Sequence, residues 1–111
     1  MKGSVLINVP LAMGVKASDS STQTSDPYCK ITLPDGHTVE TKQVPKTLDP
    51  IWNFSYKWNC NILKEKYKPI KFEVFDHDAM AKDDILGSVD VEWMDCFNNP
   101  TSWEVNHLYP L

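Results

Sequence analysis

Apolar and polar side chains alternate with a period of two along much of the chain, the period of a strand with one buried face. Trp52, Phe54, Tyr56 and Trp58 alternate with Asn53, Ser55 and Lys57. A helix would scatter those four aromatic rings around its circumference, whereas a strand puts all of them on one side. Ile70, Phe72 and Val74 repeat the pattern against Lys71 and Glu73, as do Val89, Val91 and Trp93 against Asp90 and Glu92. Val5, Ile7 and Val9 form another apolar row, and Cys29, Ile31 and Leu33 a further one. Residues 37–44 read as a β-branched strand of mixed pattern, and a seventh strand is predicted around Trp103, Val105 and Leu108.

Turn chemistry separates these runs. Pro34-Asp35-Gly36 marks a hairpin turn between two strands, so residues 26–44 read as a hairpin. Leu48-Asp49-Pro50 breaks the chain before the aromatic strand, and Asn98-Asn99-Pro100 does so before the last one. Helix is confined to one short turn within 61–68. Short strands divided by turns predict an all-β, antiparallel β-sandwich.

The 111 residues, 41% of them hydrophobic, suffice for one core and one domain over 1–111. A doubly wound nucleotide enzyme or a barrel enzyme needs far more chain. Acids outnumber bases 15 to 11, and every base is lysine, which argues against a nucleic-acid binder driven by overall charge. Cys29, Cys60 and Cys96 fit neither a disulfide framework nor a zinc site, so a reduced, cytoplasmic setting is expected. No apolar run approaches the ~20 residues of a membrane span, and the opening apolar stretch is too short for a signal peptide. The sequon Asn53-Phe54-Ser55 is expected to be idle.

The acids are unevenly placed. Asp76, Asp78, Asp83 and Asp84 follow directly on Val74-Phe75, and Asp26 opens the second strand after a Ser/Thr-rich loop holding Asp19. If the loops at 19–26 and 76–84 share one end of the sandwich, these carboxylates converge. Two carboxylates about 5 Å apart repel by roughly 3 kcal/mol at an effective dielectric near 20, a load that a cation relieves. Oxygen donors on flexible loops suit Ca²⁺, while the absence of thiolates and of paired histidines makes zinc a poor match. Solvated acidic turns are the competing explanation on acid count alone.

The order and spacing of four segments sharpen this reading. Ser25-Asp26-Pro27-Tyr28-Cys29-Lys30-Ile31, Thr47-Leu48-Asp49-Pro50-Ile51-Trp52-Asn53, Phe75-Asp76-His77-Asp78 and Asp83-Asp84-Ile85-Leu86-Gly87 together resemble a C2 domain over essentially the whole length. The resemblance implies an eight-stranded antiparallel sandwich with Ca²⁺-binding loops at one end. Seven of those strands are identifiable here, and a first strand at Val5 to Val9 suits the circularly permuted, type II order in which the eighth strand comes last.

Carried over position by position, the resemblance makes Asp26, Asp76, Asp78 and Asp84 calcium ligands. Asp19 completes the set from the first loop, across an interval to Asp26 one residue longer than the usual pattern. The His77 backbone carbonyl is an extra donor, and Asp83 a neighbour. Two or more Ca²⁺ ions at that end would reverse its field and let anionic lipid oxygens complete their coordination. The expected function is therefore calcium-triggered binding to phosphatidylserine-like membranes by a cytoplasmic domain recruited peripherally. At the loop apex, Met80 and Ala81 are placed for shallow insertion, and Lys82 for phosphate contact. Tyr28, Lys30 and Lys42 match positions of a phosphoinositide patch that the family carries on its concave face, although Glu40 replaces one of the usual lysines.

Two further readings stand beside this one. The first is a metal-independent module that binds a protein or a phosphoinositide. The second is self-association through an unpaired sheet edge, if the eighth strand is missing. Catalysis is not expected: Asp76-His77-Asp78 resembles the paired aspartates of aspartate-nucleophile phosphatases, but those need a parallel α/β core that this chain cannot hold. An EF-hand is excluded because Met80 would occupy its fifth loop position and no flanking helices are predicted.

Overall fold

The computed structural model describes residues 2–14, 26–61, 64, 68–77 and 82–93. Six strands are found among them: β1 (Lys2–Leu11), β2 (Pro27–Thr32), β3 (Thr38–Glu40), β4 (Ile51–Asn61), β5 (Ile70–Asp76) and β6 (Asp84–Val91). β1 pairs with β4, and the other four form an antiparallel sheet in the order β3-β2-β5-β6. The predicted seventh strand, around Trp103, lies outside the described residues.

The two sheets close on a shared core. Ile7, Trp58 and Cys60 from the β1–β4 pair are buried with Cys29, Ile31, Ile70 and Val74 from the larger sheet. Each fully buried aliphatic side chain of this kind stabilises the fold by ~1.5–3 kcal/mol. The alternating row on β4 behaves as its period requires: Trp52, Phe54, Tyr56 and Trp58 turn inward while Asn53, Ser55 and Lys57 are exposed. Two indoles from that row reach across to the opposite layer. Trp52 Nε1 donates to the Pro27 carbonyl at one end, and Trp58 Nε1 donates to Asp35 at the other, each at 3.2 Å. These bonds satisfy the polar edge of rings that are otherwise packed in the core.

Two strands depart from their predicted limits. The segment 37–44 gives only the three-residue β3, because the ladder changes character at Thr41. The Thr41 amide donates to the Cys29 carbonyl, but the Cys29 amide bonds the Thr41 hydroxyl instead of its carbonyl, both at 2.9 Å. A side chain has taken the place of a backbone acceptor, and regular pairing ends there. β6 starts earlier than its apolar pattern suggests, at Asp84, since residues 84–87 pair with the end of β5. Trp93, assigned to that strand from its spacing, lies beyond its end. It is buried nonetheless, edge-on to Trp58 with ring centroids 5.1 Å apart, and its indole donates to the Lys68 carbonyl at 2.6 Å.

Candidate functional site

The site is built where β2, β5 and β6 end together. In the ladder, Pro27 stands opposite Asp76, and Asp76 opposite Asp84. Asp26 directly precedes Pro27, so three of the sequence-predicted aspartates fall on adjacent strands at one edge. The backbone ties them further. The Asp26 amide donates to Asp76 Oδ1 at 2.7 Å, and the His77 amide donates back to the Asp26 carbonyl at 3.1 Å. The Lys46 amide donates to Asp26 Oδ1 at 2.7 Å, from a turn in which Lys46 takes a φ of 54°. Asp26 and Asp76 are thus held by main-chain donors, which orients each carboxylate without neutralising it.

Beside these aspartates lies a second set of contacts. The Tyr28 hydroxyl donates to Asp83 Oδ2 at 2.5 Å, and the His77 ring nitrogen Nδ1 stands 3.6 Å from Asp83 Oδ1. Tyr28 also stacks on Phe75, with centroids 5.7 Å apart and planes 20° from parallel. Burial, then the hydrogen bond to Asp83, then the negative charges of Asp83 and Glu40 push the Tyr28 phenol well above its ordinary range. Asp83 therefore clasps the start of β6 to β2.

The strand order, the Asp26-Pro27-Tyr28 entry into β2 and the aspartate-bearing end of β5 find their counterparts in known proteins. A family model for the C2 domain matches residues 3–111. The chain belongs to the C2 domain family. Over 91 residues it is 33% identical to mouse synaptotagmin-4, covering 79% of this chain and 21% of that protein. Rabphilin-1 of Caenorhabditis elegans is 29% identical over 113 aligned residues, 89% of this chain and 10% of the relative. The chain thus spans about a fifth or less of these relatives' length. Among solved structures, the two linked C2 domains of extended synaptotagmin 2, in their calcium-bound form, superpose with a TM-score of 0.76 at 24% identity, covering 86% of this chain and 36% of that one. A C2 domain of Drosophila RIM superposes with a TM-score of 0.72 at 18% identity, over 80% of this chain and 74% of that one.

As a C2 domain the chain is a membrane-targeting module by family. Of the ligands predicted from sequence, Asp26, Asp76 and Asp84 lie at the same end of the sheet as His77. Asp19 and Asp78 lie outside the described residues, as do Met80 and Ala81. Among the described residues, no three His, Cys, Asp or Glu side chains close a metal site by themselves. The side chains placed at this end carry carboxylate oxygens, which suit a hard cation such as Ca²⁺ and not a thiophilic one.

Lys82 is exposed just ahead of Asp83. The lysine face is a different environment. Lys30 stands in register between Glu40 on β3 and Glu73 on β5, so acids flank it on both sides. Lys42 is exposed beyond the end of β3, and the Tyr28 hydroxyl is committed to Asp83. Among the described residues, no helix is long and apolar enough to cross a membrane.

Sequence reasoning missed two devices, the Tyr28–Asp83–His77 clasp and the Lys46 amide on Asp26. Their partners lie 55 and 20 residues apart in the chain, and no local motif announces either contact.

Proposed function

We propose that this C2 domain is a non-catalytic module that binds anionic phospholipid membranes when Ca²⁺ occupies the end formed by Asp26, Asp76 and Asp84, with Asp19 and Asp78 completing the donor set. The observation that carries this reading is the Asp26–Asp76–Asp84 row, in which the Asp26 amide bonds Asp76 and the β5–β6 register sets Asp84 opposite Asp76. Bound Ca²⁺ would supply the positive charge and open coordination positions that phosphate and carboxylate oxygens of lipid headgroups fill.

The protein's own groups do the rest. Main-chain donors from Asp26 and Lys46 fix the orientation of the Asp76 and Asp26 carboxylates, so little ordering is left to be done on binding. Clustered negative charge holds the domain off an anionic surface until the ions arrive. Ca²⁺ affinity and membrane affinity are then coupled, each raising the other by the same factor. In the cell this reads as peripheral recruitment from the cytoplasm when calcium rises. The calcium-bound state of extended synaptotagmin 2 among the structural neighbours supports this reading. The flanking of Lys30 by Glu40 and Glu73 disfavours the lysine face as the primary lipid site.

The test is co-sedimentation with phosphatidylcholine vesicles, with and without phosphatidylserine, in EGTA and across a Ca²⁺ titration. Pelleting that needs both Ca²⁺ and phosphatidylserine, and that Asp76→Asn abolishes, is the expected result. Pelleting with phosphatidylserine regardless of Ca²⁺ would transfer the function to a metal-independent face. No pelleting under any condition would overturn the membrane reading.

A further inference from the structure

Large apolar side chains are exposed on the other sheet, at the same end of the molecule. Leu11 is 43% exposed, Met13 75% and Ile51 63%. Leu11 and Ile51 are register partners across the β1–β4 ladder, so their side chains are direct cross-strand neighbours, and Met13 follows two residues after Leu11. Neighbouring apolar side chains left in water at a sheet end are unfavourable unless something covers them.

A continuous set of bonds places this patch beside the aspartates. The Ala12 amide donates to the Pro50 carbonyl at 3.1 Å, and the Gly14 amide donates to Asp49 Oδ1 at 2.8 Å. Three residues before Asp49 stands Lys46, whose amide is bonded to Asp26. From Met13 to the carboxylate row the path therefore crosses a single turn, and that turn carries an exposed lysine. An apolar patch bordered by a cation that can reach headgroup phosphates is the surface chemistry of a membrane interface. The one acid in the turn, Asp49, has an oxygen engaged by Gly14, and its amide is bonded to the Thr47 hydroxyl at 3.0 Å.

We infer that Leu11, Met13 and Ile51 form an apolar shoulder that seats in the headgroup layer beside the aspartate end, with Lys46 meeting lipid phosphate between them. This inference rests on the membrane reading above and adds a direction to it. The domain docks leaning toward its β1–β4 sheet, and part of its affinity is insensitive to salt because it comes from apolar burial.

The experiment measures the vesicle affinity of the wild type, Leu11→Ser and Ile51→Ser at saturating Ca²⁺, on phosphatidylcholine vesicles carrying phosphatidylserine, at low and high NaCl. Both side chains are solvent-exposed, so neither variant should disturb folding, and a Ca²⁺ titration without vesicles checks that the ion site is intact. The expected result is a loss of about ten-fold in vesicle affinity for each variant, ~1.4 kcal/mol, with the salt dependence and the vesicle-free Ca²⁺ titration unchanged.

Vesicle affinities equal to wild type would overturn the shoulder while leaving the calcium reading in place. A wild-type dimer in sedimentation velocity without vesicles, dissociated by Ile51→Ser, would overturn it in favour of a second copy of the chain. Ca²⁺-independent binding that Ile51→Ser weakens would support the shoulder and remove the calcium part of the earlier reading.

Discussion

The backbone amide of Asp26 lies 2.7 Å from Oδ1 of Asp76, fifty residues away in sequence. One predicted ligand thereby positions another, and the carboxylate of Asp26 is in turn held by the Lys46 amide. Asp26 thus has two separable properties, an oxygen that accepts a structural hydrogen bond and a charge that the proposed Ca²⁺ site would use.

Asp26→Asn and Asp26→Ala separate those properties. The alanine variant leaves the Lys46 amide without its acceptor and should lose about 1 kcal/mol of stability, whereas asparagine keeps an oxygen there and should lose less than half as much. Both remove a charge from the proposed ion site, so the rise in melting temperature expected from Ca²⁺ in the wild type should shrink in both. Urea midpoints in EGTA together with thermal melts across a Ca²⁺ series check this. A full calcium-induced rise in Asp26→Asn would remove Asp26 from the ligand set.

The Tyr28–Asp83 bond predicts a pH dependence. The phenol is pushed above its ordinary value near 10 in the folded chain, by burial first and by Asp83 next. A raised pKa in the folded state means that the unfolded chain gives up the proton first as pH rises. The stability contributed by Tyr28 is therefore fully present below about pH 10 and declines above it. Tyr28→Phe should cost about 1 kcal/mol at pH 8 for the lost hydrogen bond, and its urea midpoint should fall less than that of the wild type above pH 10. Parallel declines in the two proteins would place the effect elsewhere.

Much of this fold was legible in the alternation of side chains, because a two-residue period with large aromatic rings on one side has no helical equivalent. The β4 row is the clearest instance, and its burial follows the sequence residue by residue. The boundaries that failed did so where long-range contacts decide them. β3 ends where the Thr41 hydroxyl captures the Cys29 amide, and β6 begins early because the ladder with β5 extends through Gly87 and Asp84. The placement of Asp26, Asp76 and Asp84 was readable from motif spacing. The clasp on Asp83 was not, since it depends on which strands are neighbours.

Backbone geometry at Asn53 supplies a third prediction. Asn53 adopts a φ of 48°, next to the point where the β1–β4 register shifts between Val9 and Leu11. The left-handed region is tolerated by asparagine and glycine and is costly for β-branched residues. Asn53→Gly should leave stability within about 0.5 kcal/mol of the wild type. Asn53→Val should cost ~1–3 kcal/mol and disturb the pairing that presents Leu11 and Ile51. Denaturant unfolding of both variants decides the point, and equal midpoints would show that the bulge relaxes without strain.

Cys29 and Cys60 are buried cysteines, and the surroundings of Cys29 determine its reactivity. Burial pushes its pKa up to about 12, a hydrogen bond with the Glu73 backbone works against this, and the Glu73 carboxylate adds a smaller rise. At pH 8 almost none of Cys29 is thiolate, the form that attacks an alkylating reagent. Iodoacetamide at pH 8 should therefore leave Cys29 and Cys60 unmodified in the native chain, and peptide mapping should find both labelled after denaturation in guanidinium. The sign for stability follows from the raised pKa: the contribution of Cys29 is complete below about pH 9 and is lost progressively toward pH 12. Native labelling of Cys29 at a rate near that of the unfolded chain would mean that β2 opens locally, and with it the strand that carries Asp26 into the site.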